Sequence, residues 1–292
     1  MQKVSVNQIK DILDSKYAES EDKIVNLMFF GQEGYGRSSV IEEWINDKGF
    51  NLYSDLYPMQ LYDEENGLLK PRYVNGRKEY ILADSNQIEF LKEDNTIILN
   101  QRFNWGRNFE GDSEFITVLK DRMYKLMGRE HNLSNMKMFI ATAFPDDGLN
   151  NTTPIIPEVI NQFEKYDVVP RLSETVGFLK KKAKSQLEWY KELVDEGDHK
   201  DEDNDLKKYR LEMLDNRKVQ LEIFEKLEKI DGDMTPLFSP IHLEQSMDGI
   251  FNVLTIEKFY QDIESRIKRH IGNTDKYQKD TVELLKRILS TR

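Results

Sequence analysis

The sequence predicts an α/β fold: a three-layer domain with a mostly parallel sheet over residues 1–170, followed by an α-helical domain over residues 171–292. Three observations carry that prediction. Short apolar runs alternate with helical segments through the first half of the chain. A glycine-rich turn in the frame of a phosphate-binding loop joins one of those runs to a helix. From about Arg171 no further strand is visible, and the segments become long, charged and helical in period.

Taken in order, residues 22–30 end in the apolar run Val25, Leu27, Met28, Phe29 and Phe30 and read as a strand. Gly31-Gln32-Glu33-Gly34-Tyr35-Gly36-Arg37-Ser38-Ser39 follows. Residues 38–48 carry Val40, Ile41, Trp44 and Ile45 at helical spacing. A phosphate-binding loop reads G-x-x-x-x-G-K-S/T between such a strand and helix. Its backbone N–H groups wrap the phosphates and its lysine reaches their outer oxygens. Here Arg37 stands at the lysine position. Gly31, Gly34, Gly36, Arg37, Ser38 and Ser39 are therefore the candidate nucleotide-binding residues, and a glycine-rich turn without a ligand is the plain alternative.

Residues 51–56 read as a second strand, and the polar stretch with Pro58, Gly67, Pro71 and Gly76 as loop and hairpin. Residues 95–99 are a short apolar run suited to a strand buried on both faces. Phe115, Val118, Leu119, Met123 and Leu126 lie on one helical face, with Asp112 or Ser113 as N-cap. Residues 137–143 form another buried strand and residues 167–169 a last one, giving a sheet of about five strands.

Within the helical domain, residues 187–193 and 206–230 read as an antiparallel pair around the acidic stretch 195–205, a charged insertion of about residues 187–231. Asp201-Glu202-Asp203-Asn204-Asp205 imitates the start of a calcium loop, but Leu206 stands where that loop needs glycine, so a solvated turn is the better reading. Past Pro236 and Pro240 helices resume through Phe251, Leu254, Phe259, Ile263 and Ile267, and end on one carrying Val282, Leu285 and Ile288.

Composition narrows the function classes. The 292 residues are 38% hydrophobic, enough for a real core. A net charge of −11 argues against nucleic acid as a direct ligand and against a general grip on an anionic membrane. Cysteine is absent, which removes disulfides, thiolate metal sites and cysteine nucleophiles. His131, His199, His242 and His270 show no metal-ligand spacing, so no metal site is expected. Lys180-Lys181-Lys182-Ala183-Lys184 reads as a solvated helix face, and Trp44, Trp105 and Trp189 as core or interface aromatics. No membrane-spanning run and no signal-peptide core are visible, so a cytoplasmic protein is expected. The wealth of Asn, Lys, Asp and Ile hints at an AT-rich genome; were it viral, the location would be the virion or host cytoplasm.

Four further stretches follow in order: Ile97-Ile98-Leu99-Asn100-Gln101, Ala141-Thr142-Ala143-Phe144-Pro145, Ile156-Pro157-Glu158-Val159-Ile160-Asn161-Gln162-Phe163 and Ser239-Pro240-Ile241-His242-Leu243. With the phosphate-loop frame they resemble the AAA+ ATPase superfamily, most closely its MoxR-like branch. There a strand ends in Asp-Glu, another reads Ala-Thr-x-Asn-Pro, a stretch like Leu-Pro-x-Leu-x-x-Arg-Phe follows, and a helical lid contains Ser-Pro-Arg. The resemblance implies a P-loop domain with a helical lid, and covers most of the chain apart from the acidic insertion.

It also implies that the catalytic positions have lost their chemistry. Asn100 and Gln101 match the Asp that helps to hold magnesium and the Glu that polarises water. An amide is a poor ligand for a hard dication and a poor proton acceptor. Phe144 matches the asparagine that senses the γ-phosphate, Gln162 the arginine that reaches a neighbouring subunit, and Ile241 the lid arginine. Loss of such an arginine can cost about a thousandfold or more in rate. Asp84, Glu93 or Asp94 as a displaced acid, and Arg107 or Arg171 as a displaced finger, are the substitutes an active enzyme would need.

The expected function is a catalytically silent AAA+ module, a pseudo-ATPase acting as a structural or regulatory subunit of a larger homo- or hetero-oligomeric assembly. The alternatives are an ATP-dependent MoxR-type chaperone or remodelling enzyme, and a module that binds nucleotide without turnover. No cofactor is required; ATP or ADP, if bound, is expected to bind weakly and with little dependence on magnesium, because a planar guanidinium does not replace an ammonium as a point charge. Trp105 and Gln162 are the expected interface residues, since in ring-forming relatives the corresponding regions face neighbours.

Overall fold

A computed structural model of the chain describes residues 1–54, 69–74, 77–82, 91–105, 113–126, 129–146, 152–197, 204–247, 254–271 and 276–292. Leu56, Pro58, Gly67, Gly76, Asp84, Arg107, Asp112, His199, residues 201–203 and Phe251 lie outside these. The chain divides into two compact units, one of residues 1–31 and 36–168, the other of residues 32–35 and 169–292.

The first unit is built on a six-stranded sheet in the order β1–β10–β2–β9–β6–β3, with every neighbouring pair parallel. Its strands are β1 (Gln2–Val4), β2 (Val25–Phe30), β3 (Asn51–Ser54), β6 (Thr96–Asn100), β9 (Met136–Ala143) and β10 (Glu164–Val168). All six residues of β2 and all five of β6 are buried, the pattern of strands covered on both faces. Successive side chains alternate between two cores, as the strand period of two requires. Leu27, Phe29, Ile97, Leu99, Met138 and Ile140 join Ile9 and Leu13 of α1 (Gln8–Glu19) and Ile41, Trp44 and Ile45 of α2 (Arg37–Lys48). Met28, Phe30, Ile98, Phe139 and Ala141 face the other way, onto Phe115, Val118 and Leu119 of α3 (Ser113–Asp121), Val159 of α4 (Pro157–Ile160) and Phe163. Helices on both faces of a parallel sheet make three layers.

Two small antiparallel ribbons accompany the sheet, β4 (Leu69–Val74) with β5 (Arg77–Leu82) and β7 (Met123–Leu126) with β8 (Arg129–Asn132). The first accords with the hairpin expected around Pro71. The second corrects an expectation: the helix does not run on to Leu126. It stops at Asp121 because Arg122 adopts a left-handed φ of 52° and Met123 opens a strand, so Met123 and Leu126 leave the helical face. The sheet also has six strands, not five. β1 is only three residues long, and one buried side chain, Val4, is too little pattern to read.

The second unit is helical: α5 (Leu172–Gly197), α6 (Asn204–Leu227), α7 (Pro240–Met247), α8 (Ile256–His270) and α9 (Lys276–Leu289). α5 and α6 are antiparallel, since Lys180 pairs with Glu228 at 2.7 Å near one end and Arg210 donates to the Leu193 carbonyl at 2.8 Å near the other. The expected charged pair is therefore the far half of a longer hairpin whose near half is core. Val176, Leu179 and Ala183 of α5 pack with Ile223, Phe224 and Leu227 of α6, and with Phe259, Ile263 and Leu285 of the last two helices. Thr255 caps α8 by accepting from the Lys258 N–H at 3.1 Å. Among the described residues no helix is long and apolar enough to cross a membrane.

Candidate functional site

The glycine-rich loop leaves the carboxyl end of β2, the edge at which ligands bind in open parallel sheets. Gly34 and Gly36 have φ values of 77° and 78°, left-handed geometry that disfavours any side chain, and Gly36 is the N-cap of α2. The Gly31 N–H donates to the Ala143 carbonyl at 3.1 Å, tying the start of the loop to the end of β9. Ser38 is half-buried and Ser39 exposed in the first turn of α2.

Arg37 opens that helix and is only 7% exposed. Its Nη1 donates to the Phe29 carbonyl at 2.8 Å and also to the Ala143 carbonyl, while its guanidinium carbon stands 5.7 Å from the Phe144 ring centroid. The charge at the lysine position is thus held between the carboxyl ends of β2 and β9. Backbone carbonyls satisfy it there, and an aromatic face adds a cation–π contact.

Asn100 is fully buried as the last residue of β6, in register with Ala141. Gln101 follows, and its Nε2 donates to Glu42 Oε1 of α2 at 2.6 Å. Phe144 directly follows β9 and is 2% exposed. Its N–H donates to Asn104 Oδ1 and its carbonyl accepts from Asn104 Nδ2, both at 2.9 Å. The Phe103 N–H donates to the Thr142 carbonyl at 2.8 Å. The segment after β6 is therefore stitched to the segment after β9, and the position expected to sense a phosphate presents an apolar ring. Trp105 ends that stitched segment. It stands 5.5 Å from Phe144 in an edge-to-face pair with the Arg102 guanidinium over it, yet remains 45% exposed.

Gln162 lies elsewhere, beyond α4, with its Nε2 donating to the Glu158 carbonyl at 3.0 Å. Ile241 is the second residue of α7 and 39% exposed. Residues 32–35 group with the helical unit, and a Cβ added at Gly34 would overlap Ile241 Cδ1. The Ile241 side chain, expected from the resemblance to match a lid arginine, thus lies against Gly34 as hydrocarbon.

Sequence reasoning missed Asn104, Glu42 and a buried knot at Asn26. Asn26 Nδ2 donates to the carbonyls of Leu119 and Gln162, and its Oδ1 accepts from Arg122 Nη1 at 2.8 Å. Arg122 Nη2 donates to the Val25 carbonyl at 2.9 Å. Burial lowers the Arg122 pKa to about 9. The available signal was Asn26 itself, a polar residue inside an apolar strand, which needs a partner. Among the described residues no group of three His, Asp or Glu is placed to hold a metal ion.

No protein-family model matches the chain, and no curated protein matches it. Among solved structures it is similar to a Cytophaga hutchinsonii protein described as a candidate ATPase, at 13% identity and a TM-score of 0.33, over 98% of this chain and 96% of that one. It is also similar to NtrX of Brucella abortus, solved with ADP, at 10% identity and a TM-score of 0.36, over 96% of this chain and 67% of that one. Similarity at this level is slight in both sequence and superposition.

Proposed function

We propose that the chain is a catalytically silent AAA+ module of the MoxR-like kind, a structural or regulatory subunit of a larger protein assembly. One observation carries the reading: the Arg37 guanidinium is committed to the carbonyls of Phe29 and Ala143, where a working phosphate loop keeps its cation available to the β- and γ-phosphates. The strand ends agree with it. Asn100 and Gln101 are neutral where magnesium and the attacking water need carboxylates, and Gln101 donates to Glu42. Phe144 and Ile241 add hydrocarbon where a polar sensor and a cation would meet transition-state charge. A three-layer parallel sheet, a glycine loop at the carboxyl end of β2 and a helical second unit supply the scaffold.

A second reading, binding without turnover, draws on Gly34 and Gly36, whose left-handed geometry keeps the backbone shape of an anion-wrapping loop. Calorimetry of the purified protein with ATP and with ADP, each with and without magnesium, separates the two. The silent-subunit reading expects no heat, or weak binding indifferent to magnesium. Tight binding that requires magnesium contradicts it, because that dependence needs an anionic ligand at Asn100.

A further inference from the structure

We propose that the helical unit contains a separate binding site for a single carboxylate carried on an apolar body, in an open cavity of about 410 Å³ lined by α5, α6 and α7. The site is independent of the glycine loop and of the reading given to it. Its walls are apolar where Leu179, Phe224 and Met247 line it, all at least nine-tenths buried. A cation stands among them. Arg217 of α6 lines the cavity, and its Nη1 donates to Gln220 Oε1 at 2.8 Å. Gln220 is itself 6% exposed and anchored, its Nε2 donating to the Met247 carbonyl at 2.8 Å. The glutamine thus aims the guanidinium while neutralising none of its charge.

The Nε of Arg217 is buried with no acceptor, and no carboxylate pairs with Arg217 among the described residues. The other charges at the cavity cancel, because Lys182 of α5 is paired with Glu244 of α7. Among the described residues one positive charge without a carboxylate partner therefore remains beside an apolar wall. A guanidinium that lines a cavity and pairs with no carboxylate among the described residues matches an incoming carboxylate through two parallel N–H donors. Cavities with apolar walls and a few convergent polar groups are the usual form of small-ligand sites. The carboxylate fits Arg217, and its hydrocarbon the wall of Leu179, Phe224 and Met247. A free alkyl carboxylate and the carboxyl-terminal residue of a peptide share this chemistry.

Calorimetry on the full chain tests it with three probes: octanoate, 1-octanol of the same tail without charge, and a short acetylated peptide ending in a free leucine carboxylate. Octanoate, the peptide or both should saturate the protein at least about tenfold more tightly than octanol. Arg217→Gln should remove that preference, and Arg217→Lys should keep part of it, while circular dichroism confirms that both variants are folded. Which carboxylate binds identifies the source. Equal affinity for octanoate and octanol, affinity unchanged in Arg217→Gln, or no saturable binding of either carboxylate up to about 10 mM overturns the assignment. Should Arg217→Gln fail to fold, the double variant Lys182→Gln/Glu244→Gln and the comparison of octanoate with octanol on the parent protein still decide it. The double variant removes both members of the Lys182–Glu244 pair and so leaves the net charge at the cavity unchanged; the preference for octanoate stands if Arg217 is the anion's partner and is abolished if Lys182 is.

Discussion

Arg37 is the first residue of α2, directly after the glycine-rich loop. Its side chain is nearly buried and donates to two strand-end carbonyls, so it behaves as a structural tie between β2, β9 and the first turn of α2. Arg37→Met keeps bulk and removes the donors, leaving two strand-end carbonyls to lose a charged partner. The expected cost is about 2 kcal/mol of stability, read from urea unfolding. A variant as stable as the parent would mean that the guanidinium is not the tie described. His242 offers a second test at this scale. Its Nδ1 accepts from the Ser239 N–H at 3.1 Å, so the fold needs the neutral ring there. Burial first, then Arg266 and His270 of α8, lower its pKa below the ordinary 6.5. A base whose folded pKa is depressed binds fewer protons folded than unfolded, so its contribution is present above 6.5 and lost as pH falls below it. Between about pH 7 and pH 5 the parent's urea midpoint should fall, and that of His242→Gln should fall less. Identical slopes would remove His242 from the account.

At the scale of elements, what was legible in the sequence and what was not divide along physical lines. β2, β6 and β9 were readable because strands buried on both faces are uninterrupted apolar runs. The end of α3 was not, because the apolar spacing continues past Asp121. What stops the helix is a left-handed Arg122 bound to Asn26 and Val25 far away in sequence. At the candidate site, the neutrality of Asn100 and Gln101 was visible directly. The turned-in Arg37 and the Asn104 clamp on Phe144 were not, since both depend on a neighbouring strand end. The basic run on α5 reads as a solvated face, and two of its lysines meet Glu228 and Glu244 of neighbouring helices. Trp105 carries the docking hypothesis at this scale. It is half-exposed, held by Phe144 and Arg102 and stitched to β9 through its neighbour Asn104, as a pre-ordered contact residue would be. Trp105→Ala should weaken the complex isolated from the protein's source by about 2 kcal/mol or more, with little change in melting temperature. Unfolding without loss of residual binding would return Trp105 to the core.

Across the whole molecule, one scaffold bears two separate chemical environments. The first unit carries Asn100, Gln101, Phe144 and an Arg37 bound to two strand-end carbonyls, beside the ends of the glycine-rich loop whose residues 32–35 group with the second unit. The second holds a cavity lined by Arg217, which pairs with no carboxylate among the described residues. Under the proposed function, assembly is the reason for a fold kept without hydrolytic charges, and the acidic sequence 195–205, where α5 ends and α6 begins, would suit a basic partner surface. The central claim is the silence of the glycine-loop site. Steady-state phosphate release from ATP with magnesium, measured for the parent protein and for Arg37→Lys, tests it most directly. Restoring the lysine alone leaves Asn100 and Gln101 as amides, with nothing to hold the metal or take the water's proton. The account predicts that neither protein releases phosphate above the protein-free rate. Turnover by the parent, or its appearance in Arg37→Lys, would contradict it and would mean that another acid serves the site.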